Sequence, residues 1–365
     1  MIAWLKQRLF KIILWLSNRF SSSPKKDKVF EGLSKVMRGI ENGKESKGVV
    51  IPFVANEGRF IIFSDQHKGT GNGADDFRLC ENNYLAALDF YYQNNFGLIA
   101  LGDCEELWEN RLADVIKHQQ KSFDRYKRFA AQNRLYKTVG NHDLDWKNDL
   151  LTVAQIKKLF ETDVTVYDGV LLQTTVANKG LKIFCTHGHQ GDAASDGNWF
   201  SKFFVSKIWA PLQIWLKINP NTPAYDAQLK TLHNRLMYEW STEQKDLLLI
   251  TGHTHQPVFE SLTYIERLYH QLLEAQKTGD EKLTQEIEAE IQKRKFEYSN
   301  LSNDYLTMKP TYFNSGCCCF SDGDITGIEI ADGCLRLVKW ATKDGLPKRE
   351  VLEEEALDVL SRAIE

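Results

Sequence analysis

Five short polar stretches hold most of the residues in this chain that could do chemistry. They are Asp65-Gln66-His67, Gly102-Asp103, Gly140-Asn141-His142-Asp143, His187-Gly188-His189 and Gly252-His253-Thr254-His255. Together they offer carboxylate, carboxamide and imidazole groups. Asp65 and His67 are two residues apart, so in extended chain both face one side, as chelation from a strand end requires. Asp103 has two oxygens with which to bridge two cations. Asn141 adds a neutral carbonyl oxygen, and His187, His253 and His255 add imidazole nitrogens. Such a mixed nitrogen and oxygen set suits manganese, iron, zinc or cobalt better than calcium or magnesium. Two such cations about 3.5–4 Å apart can clamp a phosphate, hold a bridging hydroxide and steady a leaving oxygen. Any one of these histidines alone would more often be a hydrogen-bonded structural residue. Six of the nine histidines fall in the five stretches, however, and that concentration argues for one shared site.

What must position them is legible next. Each stretch follows an apolar run that reads as buried strand: Phe60-Phe63, Leu98-Leu101, Leu135-Val139, Leu181-Cys185 and Leu247-Ile250. Between the early strands, Asp76–Asn94, Leu112–Asn133 and Val153–Phe160 carry apolar residues at helical spacing. Strand and helix in alternation is the α/β signature, and ligands in such sheets gather outside the carboxyl ends of the strands. The sheet is expected to begin near Arg59, within a domain spanning about 25–345. Two helical insertions interrupt it, about 198–240 and 261–298. Asn198–Ile218 is dense in aromatic and basic residues. Ile265–Lys295 reads as a helical hairpin turning at Thr278-Gly279-Asp280, either an antenna packed on itself or a contact for a homo-oligomer or another partner. Short strands at Thr311–Phe313, Ile325–Ile330 and Leu335–Trp340 extend a second sheet, joined through Asp-Gly turns. Residues 346–365 read as a short acidic helical tail.

With 42% apolar and 26% charged residues, the 365-residue chain is ordinary for a soluble protein with a large core. Its net charge of −3 argues neither for nor against a polyanion, and no nucleic-acid partner is expected. The seven cysteines show no zinc-site spacing, and Cys317-Cys318-Cys319 reads as strand-like, buried and reduced. A cytoplasmic, reducing compartment fits best. Residues 1–20 read as a basic amphipathic helix, followed by a linker to about residue 24. Lys11 breaks any signal-peptide core, and the stretch is too short and charged to span a bilayer. Two placements stay open for it: the inner membrane interface as a peripheral anchor, or docking on the protein's own core or on another subunit.

The order D-x-H, G-D-x-x-E, G-N-H-D, H-G-H, G-H-x-H resembles the calcineurin-like metallophosphoesterase family from about Arg59 to Trp340. The resemblance implies an α/β fold, a four-layer α/β/β/α sandwich, around two divalent metal ions, manganese first. It implies that Asp65, His67, Asp103 and His255 hold one metal and Asp103, Asn141, His187 and His253 the other. His142 matches the family histidine that assists at the leaving group or phosphoryl oxygens, with Glu106 orienting it and Asp143 ordering the loop. His189 is either a substrate-side neighbour or structural. The implied reaction is hydrolysis of a phosphomonoester, phosphodiester or pyrophosphate bond by in-line attack of a metal-bridging hydroxide.

Within the family, Gly102-Asp103-Cys104-Glu105-Glu106-Leu107-Trp108 and His187-Gly188-His189-Gln190-Gly191-Asp192 are similar to stretches of the UDP-diacylglucosamine pyrophosphatases. In those enzymes an aromatic, basic insertion covers acyl chains, which Asn198–Ile218 could mimic. The chain departs from them in having His142 in place of an arginine, a second hairpin insertion and greater length. The substrate class expected is a phosphorylated small molecule, lipid-linked or nucleotide-sugar. A soluble nucleotide or phosphoprotein phosphatase is the alternative enzyme, and a non-catalytic scaffold the rival class. A scaffold would be expected to lose ligands, and none is missing.

Overall fold

Which face each apolar run buries determines the architecture. The computed structural model describes residues 24–72, 75–148, 150–191, 227–294 and 308–365. In chain order the elements are α1 (Lys26–Glu41), β1 (Gly48–Pro52), β2 (Phe60–Phe63), α2 (Glu81–Gln93), β3 (Gly97–Leu101), α3 (Leu112–His118), α4 (Gln120–Ala130), β4 (Leu135–Thr138), α5 (Asp145–Asn148), α6 (Leu150–Phe160), β5 (Val166–Tyr167), β6 (Gly169–Val176) and β7 (Lys179–Thr186). They continue with α7 (Ala227–Thr242), β8 (Leu247–Thr251), β9 (Val258–Phe259), β10 (Leu262–Thr263), α8 (Tyr264–Thr278), α9 (Glu281–Arg294), β11 (Tyr312–Asn314), β12 (Ile325–Ala331), β13 (Cys334–Lys343), β14 (Leu346–Ala356) and α10 (Leu357–Ala363).

Two seven-stranded sheets result, ordered β1-β6-β7-β8-β11-β9-β10 and β14-β13-β12-β2-β3-β4-β5. Successive strand residues point to opposite faces. Ile62, Ile99 and Leu101 of the second sheet therefore meet Leu172, Ile183, Leu248 and Ile250 of the first, in the space between the sheets. Ile61, Phe63, Leu98 and Ala100 face outward and are covered by Tyr84, Leu88 and Tyr91 of α2 and by Phe123, Tyr126 and Phe129 of α4. On the opposite outer face, Leu171, Phe184, Leu247 and Leu249 are covered by Val29 and Leu33 of α1 and Met237 and Trp240 of α7. Both faces of the central strands are buried, so they read as unbroken apolar runs. The layers are helix, sheet, sheet, helix. Each fully buried Leu, Ile or Phe contributes roughly 1.5–3 kcal/mol.

Four expectations need correction. The first sheet does not wait for Arg59: β1 pairs with β6, and α1 supplies the layer over it. The helix expected over Leu112–Asn133 is two helices, α3 and α4. Gln119 breaks it by turning inward, its amide donating to Gly69 O at 3.1 Å. Cys317–Cys319 lie in a loop rather than a strand.

The acidic tail is mostly strand. β14 pairs with β13 across Arg336↔Glu354 and Lys339↔Glu350, and Arg349 meets Glu329 at 2.8 Å, so its carboxylates have basic partners in an extended ladder. Only Leu357–Ala363 is helical.

The hairpin does form, with Gly279 at φ 72° in its turn. Leu268, Ala275, Ile287 and Ile291 make its own small core, while Arg267 Nε donates to Glu353 Oε1 at 2.9 Å and ties its base to β14. The expected N-terminal helix and aromatic insertion lie outside the described residues. No helix among the described residues is long and apolar enough to cross a membrane.

Candidate metal centre

β2, β3 and β4 lie side by side and parallel in one sheet, and β7 and β8 do so in the other. The five polar stretches leave the carboxyl ends of these strands at one rim, where the sheets are stitched together. His187 Nδ1, at the end of β7, lies 3.0 Å from Leu101 O at the end of β3. The His253 amide donates to Asp65 Oδ2 at 2.9 Å, and the His142 amide to Asp103 Oδ1 at 2.8 Å.

Two ligand groups that share no residue result, and a third, His67, Asp103 and His142, overlaps both. The ligand atoms of Asp65, His67 and His255 lie within 4.8 Å of one another, and so do those of Asp103, His187 and His253. Between the groups, His67 Nε2 is 3.8 Å from Asp103 Oδ2, which is itself 3.2 Å from His187 Nε2. Asn141 is buried beside His142 in the next loop. All seven residues expected to hold metal are thus at the same rim. The side chains converge through left-handed backbone rather than extended chain, a difference from the D-x-H expectation. Asp65 (φ 53°), His67 (47°), Asp103 (49°), His253 (69°) and His255 (56°) all adopt it. Each such non-glycine residue costs on the order of 1–3 kcal/mol, strain of the kind that clusters at functional sites.

Hydrogen bonds select the tautomers. A carbonyl only accepts, so His187 carries a proton on Nδ1, and in its neutral form Nε2 is the nitrogen with the lone pair. Glu106 Oε2 accepts from His142 Nδ1 at 2.7 Å and from His67 Nδ1 at 3.1 Å, so one oxygen aims two rings. The contact with His67 is one that the G-D-x-x-E motif does not announce. Trp108 stacks on His142 at 4.1 Å and 14°, and its indole donates to Asn141 O at 2.7 Å.

Asp143 accepts from the amides of Gly140 at 2.6 Å and Cys104 at 2.8 Å, so it positions loops and touches no reacting group. His189 is buried with its ring 5.3 Å from His187, in neither ligand group.

Burial alone would raise Glu106, yet the charge of His142 and hydrogen bonds from His142 and His67 hold its carboxyl at about 2. Burial alone would lower the two imidazoles His67 and His187. The Glu106 hydrogen bond and Asp103 charge instead raise His67 to about 10, and the charges of Asp103 and Asp65 raise His187 to about 9. Burial, reinforced by His233 and His187, pushes His253 well down. Without a cation, protons on imidazoles balance the carboxylates.

The calcineurin-like phosphoesterase family matches residues 58–257, more than half of the chain and the segment that carries all five stretches. The chain belongs to the calcineurin-like phosphoesterases. No curated protein matches it at a significant level. Among solved structures it is similar to Vacuolar Protein Sorting 29 from Cryptosporidium parvum, at 12% identity and TM-score 0.34, covering 82% of this chain and 98% of that one.

Whether the residues of this phosphoesterase fit a cation is tested by its buried polar atoms. Asn141 Oδ1 is buried without a hydrogen-bond partner, at a cost of about 1–3 kcal/mol if left so, while Asp65 Oδ1 and His187 Nε2 make no well-aligned hydrogen bond and have other candidate ligands, His255 Nε2 and Asp103 Oδ2, at 3.2 Å. His67 Nε2 and His255 Nε2 face each other at 3.2 Å. Two nitrogens at about 2.0–2.1 Å from one cation sit roughly that far apart. The donor set fits.

The phosphoesterase also needs two glycines for close approach: a Cβ on Gly140 would collide with Asp103, and one on Gly252 with Ser64 and Asp65. One feature escaped the sequence reading. Lys68, Glu105 and Lys137 are fully buried behind the loops, with Lys137 Nζ 2.7 Å and Lys68 Nζ 3.2 Å from Glu105, which also accepts from Trp146 Nε1 at 2.7 Å. The signal was there: Lys137 interrupts an otherwise strand-like run.

Proposed function

We propose that the chain is a dinuclear, divalent-metal-dependent hydrolase of a phosphomonoester, phosphodiester or pyrophosphate bond. The observation that carries this reading is the convergence of the buried ligand atoms of Asp65, Asn141 and His187, none in a well-aligned hydrogen bond, at the rim shared by both sheets. In this reading Asp65, His67 and His255 hold one cation, Asn141, His187 and His253 the other, and Asp103 both. Two divalent cations, manganese foremost and iron, zinc or cobalt as alternatives, would supply Lewis-acid charge and an activated water when bound. The chain's own residues do the rest. Asp103 and Asp65 attract the cations and are held ionised, Asp103 well below the usual carboxylate range, because neighbouring imidazoles outweigh the burial that would raise them. His142, fixed by Glu106 on Nδ1 and by the Trp108 face, presents its other nitrogen to the leaving-group oxygen as a proton donor.

For the substrate we propose a lipid-linked or nucleotide-sugar phosphate or diphosphate. The G-D-x-x-E-x-W stretch supports this, since its Trp108 covers His142, and so does the aromatic and basic composition of 198–218. Peripheral attachment to a membrane through residues 1–20 belongs to the same proposal. Liposome flotation of the full chain against a chain starting at Pro24 tests it, and equal flotation removes the anchor. Metal-loaded protein is to be assayed on nucleotides, sugar nucleotides and lipid-linked diphosphates, with turnover highest on the last two. Asn141→Ala and His253→Ala should each abolish turnover. Full activity of either would overturn the assignment.

A further inference from the structure

Behind His255 lies a group of side chains that phosphoester hydrolysis does not use. Cys317 and Cys319, in the loop after β11, are 1% and 0% exposed. Their sulfurs and a His255 nitrogen all lie within 4.8 Å of one another. The His255 ring turns Nε2 to Asp65 Oδ1 at 3.2 Å and Nδ1 to Cys319 Sγ at 3.8 Å. A metal-ligating imidazole usually gives its second nitrogen to a carboxylate or a carbonyl. Here it meets thiols, and none of the seven cysteines forms a disulfide. Cys318, between the pair, points elsewhere, with Sγ 3.8 Å from Thr326 O.

The spacing suits a cation. With metal–sulfur bonds of about 2.3 Å and metal–nitrogen bonds of about 2.0–2.1 Å, tetrahedral ligands sit roughly 3.5–3.8 Å apart. The His255–Cys319 pair at 3.8 Å already matches this, and the other pairs lie within 4.8 Å, at most about 1 Å beyond it. Two sulfurs and one imidazole select soft cations over manganese or magnesium.

We propose that Cys317, Cys319 and His255 Nδ1 form a separate site for a thiophilic divalent cation, of the zinc or cadmium class. The site joins the dinuclear centre through a single imidazole. One neutral imidazole has one lone pair, so a soft cation on Nδ1 competes with the cation that Nε2 shares with Asp65 and His67. The site is therefore inhibitory; this clause alone rests on the dinuclear reading. The way in runs past His255, whose side chain keeps 11% exposure.

The probe is cadmium, titrated into the full, metal-stripped chain while following sulfur-to-metal charge-transfer absorption in the ultraviolet. The wild type should develop the band and saturate at about one equivalent. Cys317→Ser, Cys319→Ser and the double variant should each lose it, and Cys318→Ser should keep it, with circular dichroism showing all four folded. If the double variant does not fold, the single variants decide. A wild type without the band, or variants of Cys317 and Cys319 that retain it, overturns the proposal. In a second arm on manganese-loaded protein, the first cadmium equivalent should release one manganese from wild type and none from the variants. A chain that never bound manganese would defeat the dinuclear reading while leaving the charge-transfer result to stand on its own.

Discussion

Glu106 serves two histidines through one oxygen, at 2.7 Å from His142 Nδ1 and 3.1 Å from His67 Nδ1. Glu106→Gln keeps the shape and removes the charge. A hydrogen bond to a charged acceptor contributes about 1.5–3 kcal/mol and a neutral one about 0.5–1.5 kcal/mol, so each ring loses on the order of 1 kcal/mol of orientation. Substituting such outer partners of metal ligands typically costs about 10–100-fold in metal affinity or activity. The expectation is therefore a roughly 10–100-fold weaker manganese site at Asp65, His67 and His255, with a separate fall in turnover through His142. The decisive comparison is made in a His142→Ala background, where the proton donor is already gone. There Glu106→Gln should still weaken manganese binding, because its hold on His67 is independent. Manganese binding is read by electron paramagnetic resonance, and turnover of a nitrophenyl phosphodiester at saturating metal. Unchanged metal affinity in both backgrounds would refute the reasoning, showing that the His67 contact aims nothing.

Three further outcomes are expected. Gly140→Ala drives a methyl into Asp103 and should abolish metal loading, while Gly180→Ala, where a Cβ meets nothing within 4 Å, should load normally; atomic absorption reads both. Lys137→Met leaves the fully buried Glu105 with Lys68 at 3.2 Å as its one remaining cation among the described residues, beside the Trp146 indole at 2.7 Å. Breaking a buried pair from one side costs about 3–5 kcal/mol, so urea denaturation should show a loss near the lower figure, and a loss under about 1 kcal/mol would contradict the role given to this network. Loading should also release protons. His67 is raised to about 10 and His187 to about 9, so both imidazoles are protonated in the metal-free protein at pH 7, whereas a cation needs their neutral form. Metal affinity should then rise with pH until about 9–10, and calorimetry at pH 7 should give a heat that varies with the ionisation enthalpy of the buffer. A buffer-independent heat would count against it.

The strands before the polar stretches were legible because their burial on both faces leaves continuous apolar runs, as in Phe60–Phe63 and Leu247–Thr251. The candidate ligands were legible from residue type and order. What stayed hidden depends on three-dimensional partners. The left-handed backbone of Asp65 and His67 goes with hydrogen bonds donated by the Asp65 amide to Gly102 O at 3.1 Å and by the His67 amide to Asp103 O at 2.9 Å, which no local pattern announces. β14 looks like an acidic helix until Arg336 and Lys339 are placed opposite its glutamates. The double duty of Glu106 needs the two loops side by side. Cys317 to Cys319 read as strand by composition, and only the fold turns two of them toward His255 while the third faces Thr326.

The central claim is that two cations sit where Asp103 joins the two ligand groups. Anomalous scattering from crystals grown with manganese measures this directly. The account predicts two peaks about 3.5–4 Å apart, one among Asp65, His67 and His255, the other among Asn141, His187 and His253, with Asp103 between them. A single peak, or manganese bound away from this rim, would contradict it.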